Sequence, residues 1–294
     1  MKTLNFDTLR EVRAAHPERI AEVFATRKRR ELIRGDGRLF IIAADHPARG
    51  AMGVGSDDNA MANRYELLER LATALSRPGV DGVLGTPDII EDLALLGLLD
   101  DKIVVGSMNR GGLKGASFEM DDRYTAYDVE GIMRSGLDFA KNLVRINLSD
   151  AGSVATLEAT AMAVSDAVDA QLPIMVEPFM SEWVDGKVRN DLSTDAVILS
   201  IAIAAGLGNS SSYTWLKLPV VADMERVMAS TTLPTLLLGG DPEGSQEETF
   251  DAWSKALALP GVRGLVVGRS LLYPQDGDVV SAIDAAAALV HGVV

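Results

Sequence analysis

With 294 residues, 47% hydrophobic and 24% charged, the chain can bury a large core and is not a disordered protein. A formal charge of −14 argues against nucleic acid as a partner, because a phosphate backbone demands a basic face. The absence of cysteine excludes disulfides and thiolate chemistry. No apolar run approaches a membrane span, and the start, Met1 to Asp7, lacks an apolar signal core. A cytoplasmic protein with no membrane partner is therefore expected.

Residues 1–38 are expected to form an N-terminal helical extension of two helices, the second beginning near Pro17. Its basic stretch, Arg27-Lys28-Arg29-Arg30, reads as a solvated helix face rather than a binding patch. From residue 39 onward, short apolar runs alternate with stretches of helical period. The runs are residues 39–44, 80–84, 102–106, 143–148, 173–177, 213–218, 235–239 and 264–268. Helix starts are signalled by Thr86-Pro87, by the capping-box spacings Thr125/Asp128 and Ser245/Glu248, and by Asp278 before an alanine-rich last helix. Eight such units predict an α/β fold, a closed (β/α)8 TIM barrel spanning residues 39–294 as one domain. An open dinucleotide-binding sheet would want Gly-x-Gly-x-x-Gly after its first strand, and Asp45-His46-Pro47-Ala48-Arg49-Gly50 does not supply it.

Lys217 stands in Tyr213-Thr214-Trp215-Leu216-Lys217-Leu218, an otherwise apolar strand. A lysine at a strand end can snorkel to water. One that stays buried has its pKa lowered, which is what imine chemistry with a carbonyl needs. Strand alternation decides which neighbours share its side. With Leu216 and Leu218 turned outward, Lys217 points inward above Trp215. With Ile174 and Val176 outward, Glu177 points inward. In the fourth run, Val144, Ile146 and Leu148 outward would turn Arg145 and Asn147 to the axis, and the first run ends at Asp45. These strands deliver Asp45, Arg145, Asn147, Glu177 and Lys217 to the carboxyl end, where barrels keep their chemistry. A satisfied ion-pair network is the competing interpretation. An apolar layer would fill that space at lower cost, which favours a catalytic site.

The three histidines, His16, His46 and His291, lie far apart in sequence, and only His46 could reach that face. Zinc is disfavoured, whereas a carboxylate magnesium site has no sharp signature. The stretches Gly239-Gly240-Asp241-Pro242-Glu243-Gly244-Ser245 and Gly268-Arg269-Ser270 follow the seventh and eighth runs. Loops at those positions often hold a phosphate with backbone amides. Gly239, Gly240, Gly268 and Arg269 are the candidates.

These residues resemble the class I (Schiff-base) aldolase superfamily, which includes archaeal-type fructose-bisphosphate aldolase and deoxyribose-phosphate aldolase. The carriers are Ala44-Asp45-His46, Leu172 to Glu177, Gly186-Lys187-Val188, Lys217 with Asp223, Gly239-Gly240 and Val267-Gly268-Arg269. The resemblance implies that Lys217 forms the imine, Asp45 assists proton transfer and the last two loops bind phosphate, with no cofactor. It also implies assembly into a homo-oligomer. The chain departs from the archaeal pattern in reading Arg145-Ile146-Asn147 where those enzymes place a tyrosine, and His46-Pro47 where they have His-Gly. As a whole it is similar to actinobacterial barrel proteins labelled deoxyribose-phosphate aldolase-like and associated with myo-inositol catabolism. That similarity implies cleavage of 2-deoxy-5-keto-gluconate 6-phosphate to dihydroxyacetone phosphate and malonate semialdehyde.

Attack by a lysine near pH 7 requires its pKa to fall by about three pH units from 10.4, or roughly 4 kcal/mol. Desolvation beside Trp215 and repulsion from Arg145 act in that direction, while Asp45 and Glu177 oppose it. Asp45 is the first choice of base and Glu177 the second. Arg145, Arg49 or Arg110 could meet a second anionic group, with His46 beside them. Two alternatives stand: another imine-forming barrel enzyme, such as a transaldolase or deoxyribose-phosphate aldolase, and a non-catalytic barrel that binds a sugar phosphate.

Overall fold

Strands buried on both faces read as near-continuous apolar runs, and each of the eight expected runs is a parallel strand. The computed structural model describes residues 4–109, 112–240 and 245–292. Its strands are β1 (Leu39–Ala43), β2 (Gly82–Gly85), β3 (Ile103–Ser107), β4 (Phe139–Ile146), β5 (Ile174–Val184), β6 (Lys187–Asn190), β7 (Thr214–Leu218), β8 (Thr235–Leu238) and β9 (Val262–Val267). They order as β4-β3-β2-β1-β9-β8-β7-β5, and pairing of β4 with β5 closes the ring. The fold is a (β/α)8 TIM barrel. β6 stands outside the ring as the return arm of an antiparallel hairpin on the far half of β5.

Helices α1 (Phe6–Ala15) and α2 (Glu18–Thr26) precede the barrel. The wall helices are α3 (Arg64–Leu75), α4 (Pro87–Leu95), α5 (Val129–Arg134), α6 (Gly152–Asp169), α7 (Thr194–Ala205), α8 (Met224–Ala229), α9 (Gln246–Leu257) and α11 (Val279–His291). A short α10 (Arg269–Leu272) follows β9, and a 3-10 turn, Pro47–Arg49, follows β1. Ser245 and Glu248 form the expected capping box of α9. Thr86 with Pro87 opens α4, and Asp278 caps α11. The Thr125 spacing misleads: Asp128 itself is the N-cap of α5, its carboxylate accepting from the Gly131 amide.

The barrel interior is layered. Leu39, Ile41, Val105, Phe139, Met175 and Leu236 form a buried apolar floor, against which Trp215 and Leu32 pack. The basic stretch is no solvated helix face, since α2 ends at Thr26. The side chains of Arg27 and Arg30 are buried at the amino end of the barrel. Arg27 bonds the carbonyls of Lys102 and Gly136 and lies 2.9 Å from Asp138, while Arg30 lies 2.6 Å from Asp81. These aspartates stand just before β4 and β2 and accept from the amides of Val104 and Phe40. The arginines thus neutralise carboxylates that satisfy the open backbone donors at the strand starts.

Arg27→Ala should therefore cost about 3–5 kcal/mol in urea unfolding, because it strips a buried partner from Asp138. Arg29 pairs with the same carboxylate from a mostly exposed position, so Arg29→Ala should cost no more than about 1 kcal/mol. Equal losses would mean that the amino-end contacts do not depend on burial.

Candidate active site

The charged layer lies directly above the floor. β4 alternates Phe139, Lys141, Leu143 and Arg145 toward the axis, and β5 alternates Met175, Glu177 and Phe179. Lys217 stands above Trp215 on β7, and Asp45 follows β1. Asp45, Lys141, Glu177 and Lys217 are all at most 6% exposed. Over them Leu143, Phe179 and Leu238 close a small apolar ring. Four ionisable groups are thus held between two apolar layers, which demands that each be paired.

The pairing runs through one carboxylate. Lys217 Nζ donates to Glu177 Oε1 at 2.7 Å, and Lys141 Nζ lies 2.7 Å from Glu177 Oε2. Lys141 also reaches Asp45 Oδ2 at 3.1 Å, where the Ser107 hydroxyl donates at 3.1 Å. The chain of contacts is Lys217, Glu177, Lys141, Asp45.

The two lysines do not share this charge equally. Burial depresses the Lys217 ammonium most, the Lys141 charge adds to that, and Glu177 opposes; the result is a pKa below that of free lysine. Burial acts likewise on Lys141, but Asp45 and Glu177 together outweigh it and leave its pKa raised. For Glu177, burial pushes upward, yet Lys141 and Lys217 pull the carboxyl down to about 2. For Asp45 the same opposition, led by Lys141 and helped by His46 and Arg49, leaves its pKa well below the carboxylate range. Lys217 is the amine nearer to deprotonation, and Lys141 is the fixed cation.

Other expected residues fall in various places. His46 Nδ1 lies 3.8 Å from Asp45 Oδ1, and burial, with Arg49 and Arg269 nearby, holds its imidazole neutral. Arg145 is buried but does not act on Lys217; its terminal nitrogens bond the Glu119 carboxylate at 2.7 Å and the Glu119 carbonyl at 3.2 Å. A Cβ at Gly112 would lie 2.1 Å from that carbonyl and 2.3 Å from Arg145 Nη2, so the loop after β3 closes on this arginine only with glycine there. Arg49 is half-buried on the 3-10 turn, and among the described residues its guanidinium makes no ion pair or hydrogen bond.

Asn147 is a correction. β4 ends at Ile146, and the Asn147 side chain accepts from the Ser149 amide in the turn that follows. It stabilises that turn and is not gathered with the lysines. Leu148, expected on the helix-facing side, is exposed. Gly239 and Gly240 end β8, and residues 241–244 of that loop and Arg110 lie outside the described residues. A Cβ at Gly268 would lie 2.1 Å from the Ala43 carbonyl oxygen, so close approach of β1 and β9 alone requires glycine there. Arg269 opens α10 and reaches the Gly53 carbonyl at 3.4 Å. Gly186 lies in the turn of the β5–β6 hairpin, Lys187 opens β6 opposite Val184, and Asp223 is the N-cap of α8.

Lys141, Glu119 and Ser107 were not anticipated. The fourth run was set at residues 143–148, and Lys141-Asn142 interrupts the apolar pattern ahead of it. Counting back from Arg145 in steps of two would have found Lys141. Glu119 lies in a loop, where no periodicity points inward.

The fold built around this layer is that of the class I aldolases. An archaeal fructose-1,6-bisphosphate aldolase, its catalytic lysine covalently bound to the carbinolamine intermediate, superposes with a TM-score of 0.64. It is 23% identical, over 93% of this chain and 100% of that one. A fructose-bisphosphate aldolase from Slackia heliotrinireducens gives a TM-score of 0.66 at 14% identity, over 94% of this chain and 87% of that one. The chain belongs to the Cgl0159-like family, whose model matches residues 37–287. The crystal structure of Cgl0159 from Corynebacterium glutamicum is 73% identical, covers 97% of this chain and 96% of its own, and has a TM-score of 0.95. No curated protein matches the chain. Among the described residues no helix is long and apolar enough to cross a membrane.

The unequal lysines make a stability prediction. A lysine whose folded pKa is depressed opposes folding wherever the unfolded chain holds the proton, so at pH 7 its removal relieves a penalty. Lys217→Met should therefore be neutral or stabilising in urea unfolding. Lys141→Met leaves Asp45 and Glu177 without their shared cation and should cost about 3–5 kcal/mol. The opposite order would show that Lys217 is the structural lysine.

Proposed function

We propose that this protein is a class I aldolase that cleaves a phosphorylated ketose or keto-acid sugar through an imine on Lys217. The observation that carries the reading is the Lys217–Glu177–Lys141 arrangement, in which one carboxylate serves a depressed lysine and a raised one. A non-catalytic binding barrel has no use for a buried amine whose pKa is depressed beside a lysine whose pKa is raised.

Neutral Lys217 attacks the substrate ketone, forming a C–N bond and leaving a carbinolamine. Glu177, 2.7 Å from Lys217 Nζ, is placed to relay a proton to the departing hydroxyl, which leaves as water. That proton is the one Lys217 gives to Glu177 before it attacks as the neutral amine, while Lys141 fixes the carboxylate from its other oxygen. In the iminium that results, a base removes the β-hydroxyl proton and the carbon–carbon bond breaks. Its electron pair moves into the iminium to give an enamine, and an aldehyde departs. Protonation of the enamine and hydrolysis then return Lys217. Asp45 is assigned the hydroxyl proton, because Glu177 is committed to the amine and Asp45 is held in place by Lys141 and Ser107. The phosphate is assigned to the ends of β8 and β9, with Gly240 and Gly268 for close approach and Arg269 for charge. The substrate assigned is 2-deoxy-5-keto-gluconate 6-phosphate, on the resemblance to proteins of myo-inositol catabolism, giving dihydroxyacetone phosphate and malonate semialdehyde.

Borohydride with dihydroxyacetone phosphate should add a reduced three-carbon fragment at Lys217, read by peptide mass spectrometry. An adduct on Lys141 would overturn the assignment. Asp45→Asn should lower turnover by about 10²–10⁴ while trapping persists, whereas Glu177→Gln should impair trapping itself. If the two variants exchange these patterns, the two roles exchange with them. Product analysis against fructose 1,6-bisphosphate and deoxyribose 5-phosphate tests the substrate: preference for either removes the keto-gluconate assignment and leaves the imine chemistry.

A further inference from the structure

The loop from β3 to α5 carries buried polar atoms that the imine chemistry leaves unused. Asp122 on this loop is 7% exposed. Its amide donates to Thr156 Oγ1 of α6 at 2.9 Å, and its carbonyl accepts from Asn109 at 3.3 Å, so its place is fixed by main chain. Its carboxyl oxygen Oδ2 is buried with no hydrogen-bond partner. Arg145, 9% exposed, has both terminal nitrogens on Glu119 and a buried Nε with no partner. Buried polar atoms are nearly always satisfied, so two such atoms on charged side chains at one barrel mouth call for a missing partner.

The ion pairing points the same way. Asp45 and Glu177 are matched by Lys141 and Lys217, and Glu119 is matched by Arg145. Arg49 has no counter-ion among the described residues, although its charge acts on Asp45, Glu177, Arg145 and Asp122 alike. The Lys114 amide donates to the Arg49 carbonyl at 2.9 Å, tying the 3-10 turn to the same loop.

We propose that Asp122 and Arg49 form a second subsite that binds an oxyanion of the substrate, a carboxylate or a phosphoryl group, with Arg49 pairing the charge and the open Asp122 Oδ2 completing the hydrogen bonding. This deepens the aldolase reading, on which it rests for the identity of the ligand, by giving the substrate a second anionic group. The groups facing Asp122 are Arg145 and Lys141 from β4, Arg49 from the 3-10 turn, Tyr124 from its own loop, and Glu119 held on Arg145. Burial raises the Asp122 carboxyl to about 6 against the pull of Arg145, the Gly112 amide, Lys141 and Arg49. A bound anion offsets those cations and draws the proton on more firmly. Binding therefore takes up a proton, and affinity falls as pH rises through the Asp122 pKa.

The test is calorimetric titration of the full-length protein with oxalate and with sulfate, which remain ionised between about pH 6 and 8 while Asp122 titrates. Wild-type affinity for at least one of them should weaken by up to about tenfold per pH unit over that range. Asp122→Asn keeps a donor at every pH, so its affinity should stay near the low-pH wild-type value with a flat profile. Asp122→Ala should be weak throughout, and Arg49→Ala should lose about 10–150-fold, the equivalent of one charge-assisted contact. Oxalate alone showing the pattern assigns a carboxylate, sulfate alone a phosphoryl group, and both a general oxyanion. A flat wild-type profile, or Asp122→Asn as weak as Asp122→Ala in a variant with an unchanged thermal midpoint, overturns the proposal. Borohydride labelling of Lys217 by dihydroxyacetone phosphate is scored on the same preparations. Labelling without the pH-linked binding removes the subsite alone, and binding without labelling removes the aldolase reading alone.

Discussion

Two ammonium groups sharing one carboxylate in a dry barrel is the constraint on which the rest of the site depends. Glu177 is within 2.7 Å of both Lys217 and Lys141, and none of the three has appreciable access to water. One carboxylate cannot compensate two cations in low dielectric, so one lysine must lose. The second carboxylate decides which. Asp45 lies 3.1 Å from Lys141, so the surplus of positive charge falls on Lys217. Had Asp45 faced Lys217 instead, the depressed lysine would have been the one on β4.

That asymmetry requires the layers above and below. Phe139 and Trp215 meet edge to face with centroids 5.5 Å apart under the two lysines, and Leu143, Phe179 and Leu238 close over them. Replacing either layer by polar groups would raise the local dielectric and let both ammoniums persist. The apolar residues therefore set the electrostatics of the lysines as well as the packing. They also set what the fold tolerates: a depressed lysine works against stability, and the surrounding core must offset it.

Strand alternation made much of this arrangement legible in advance. Each apolar run became a strand, and the inward parity of Glu177 and Lys217 followed from the leucines and β-branched residues beside them. Lys141 was hidden because the run was read from its apolar half, whereas β4 begins four residues earlier with two polar residues inside it. The same misplacement carried the expected strand past Ile146 and gave Asn147 an inward direction that a turn residue does not have. The arginine cluster of residues 27–30 was opaque for a different reason. Its partners, Asp81 and Asp138, are distant in sequence and meet it only once the barrel closes.

Arginine serves both ends of this barrel, and the contrast shows how position converts one interaction into different roles. At the amino end, Arg27 and Arg30 neutralise aspartates already bonded to strand amides, so both carboxylates there are matched by cation and main chain. At the carboxyl end, Arg145 is also buried, but its pairing with Glu119 uses only the two terminal nitrogens, and the Asp122 carboxylate whose charge it feels keeps one oxygen without a partner. Glu119 is itself fixed by the Gly115 amide at 2.8 Å, so the loop cannot rotate to satisfy these atoms from within. A buried carboxylate oxygen left open and held rigid costs stability unless something fills it, and among the described residues Arg49 nearby has no counter-ion, which is what the proposed anion subsite requires.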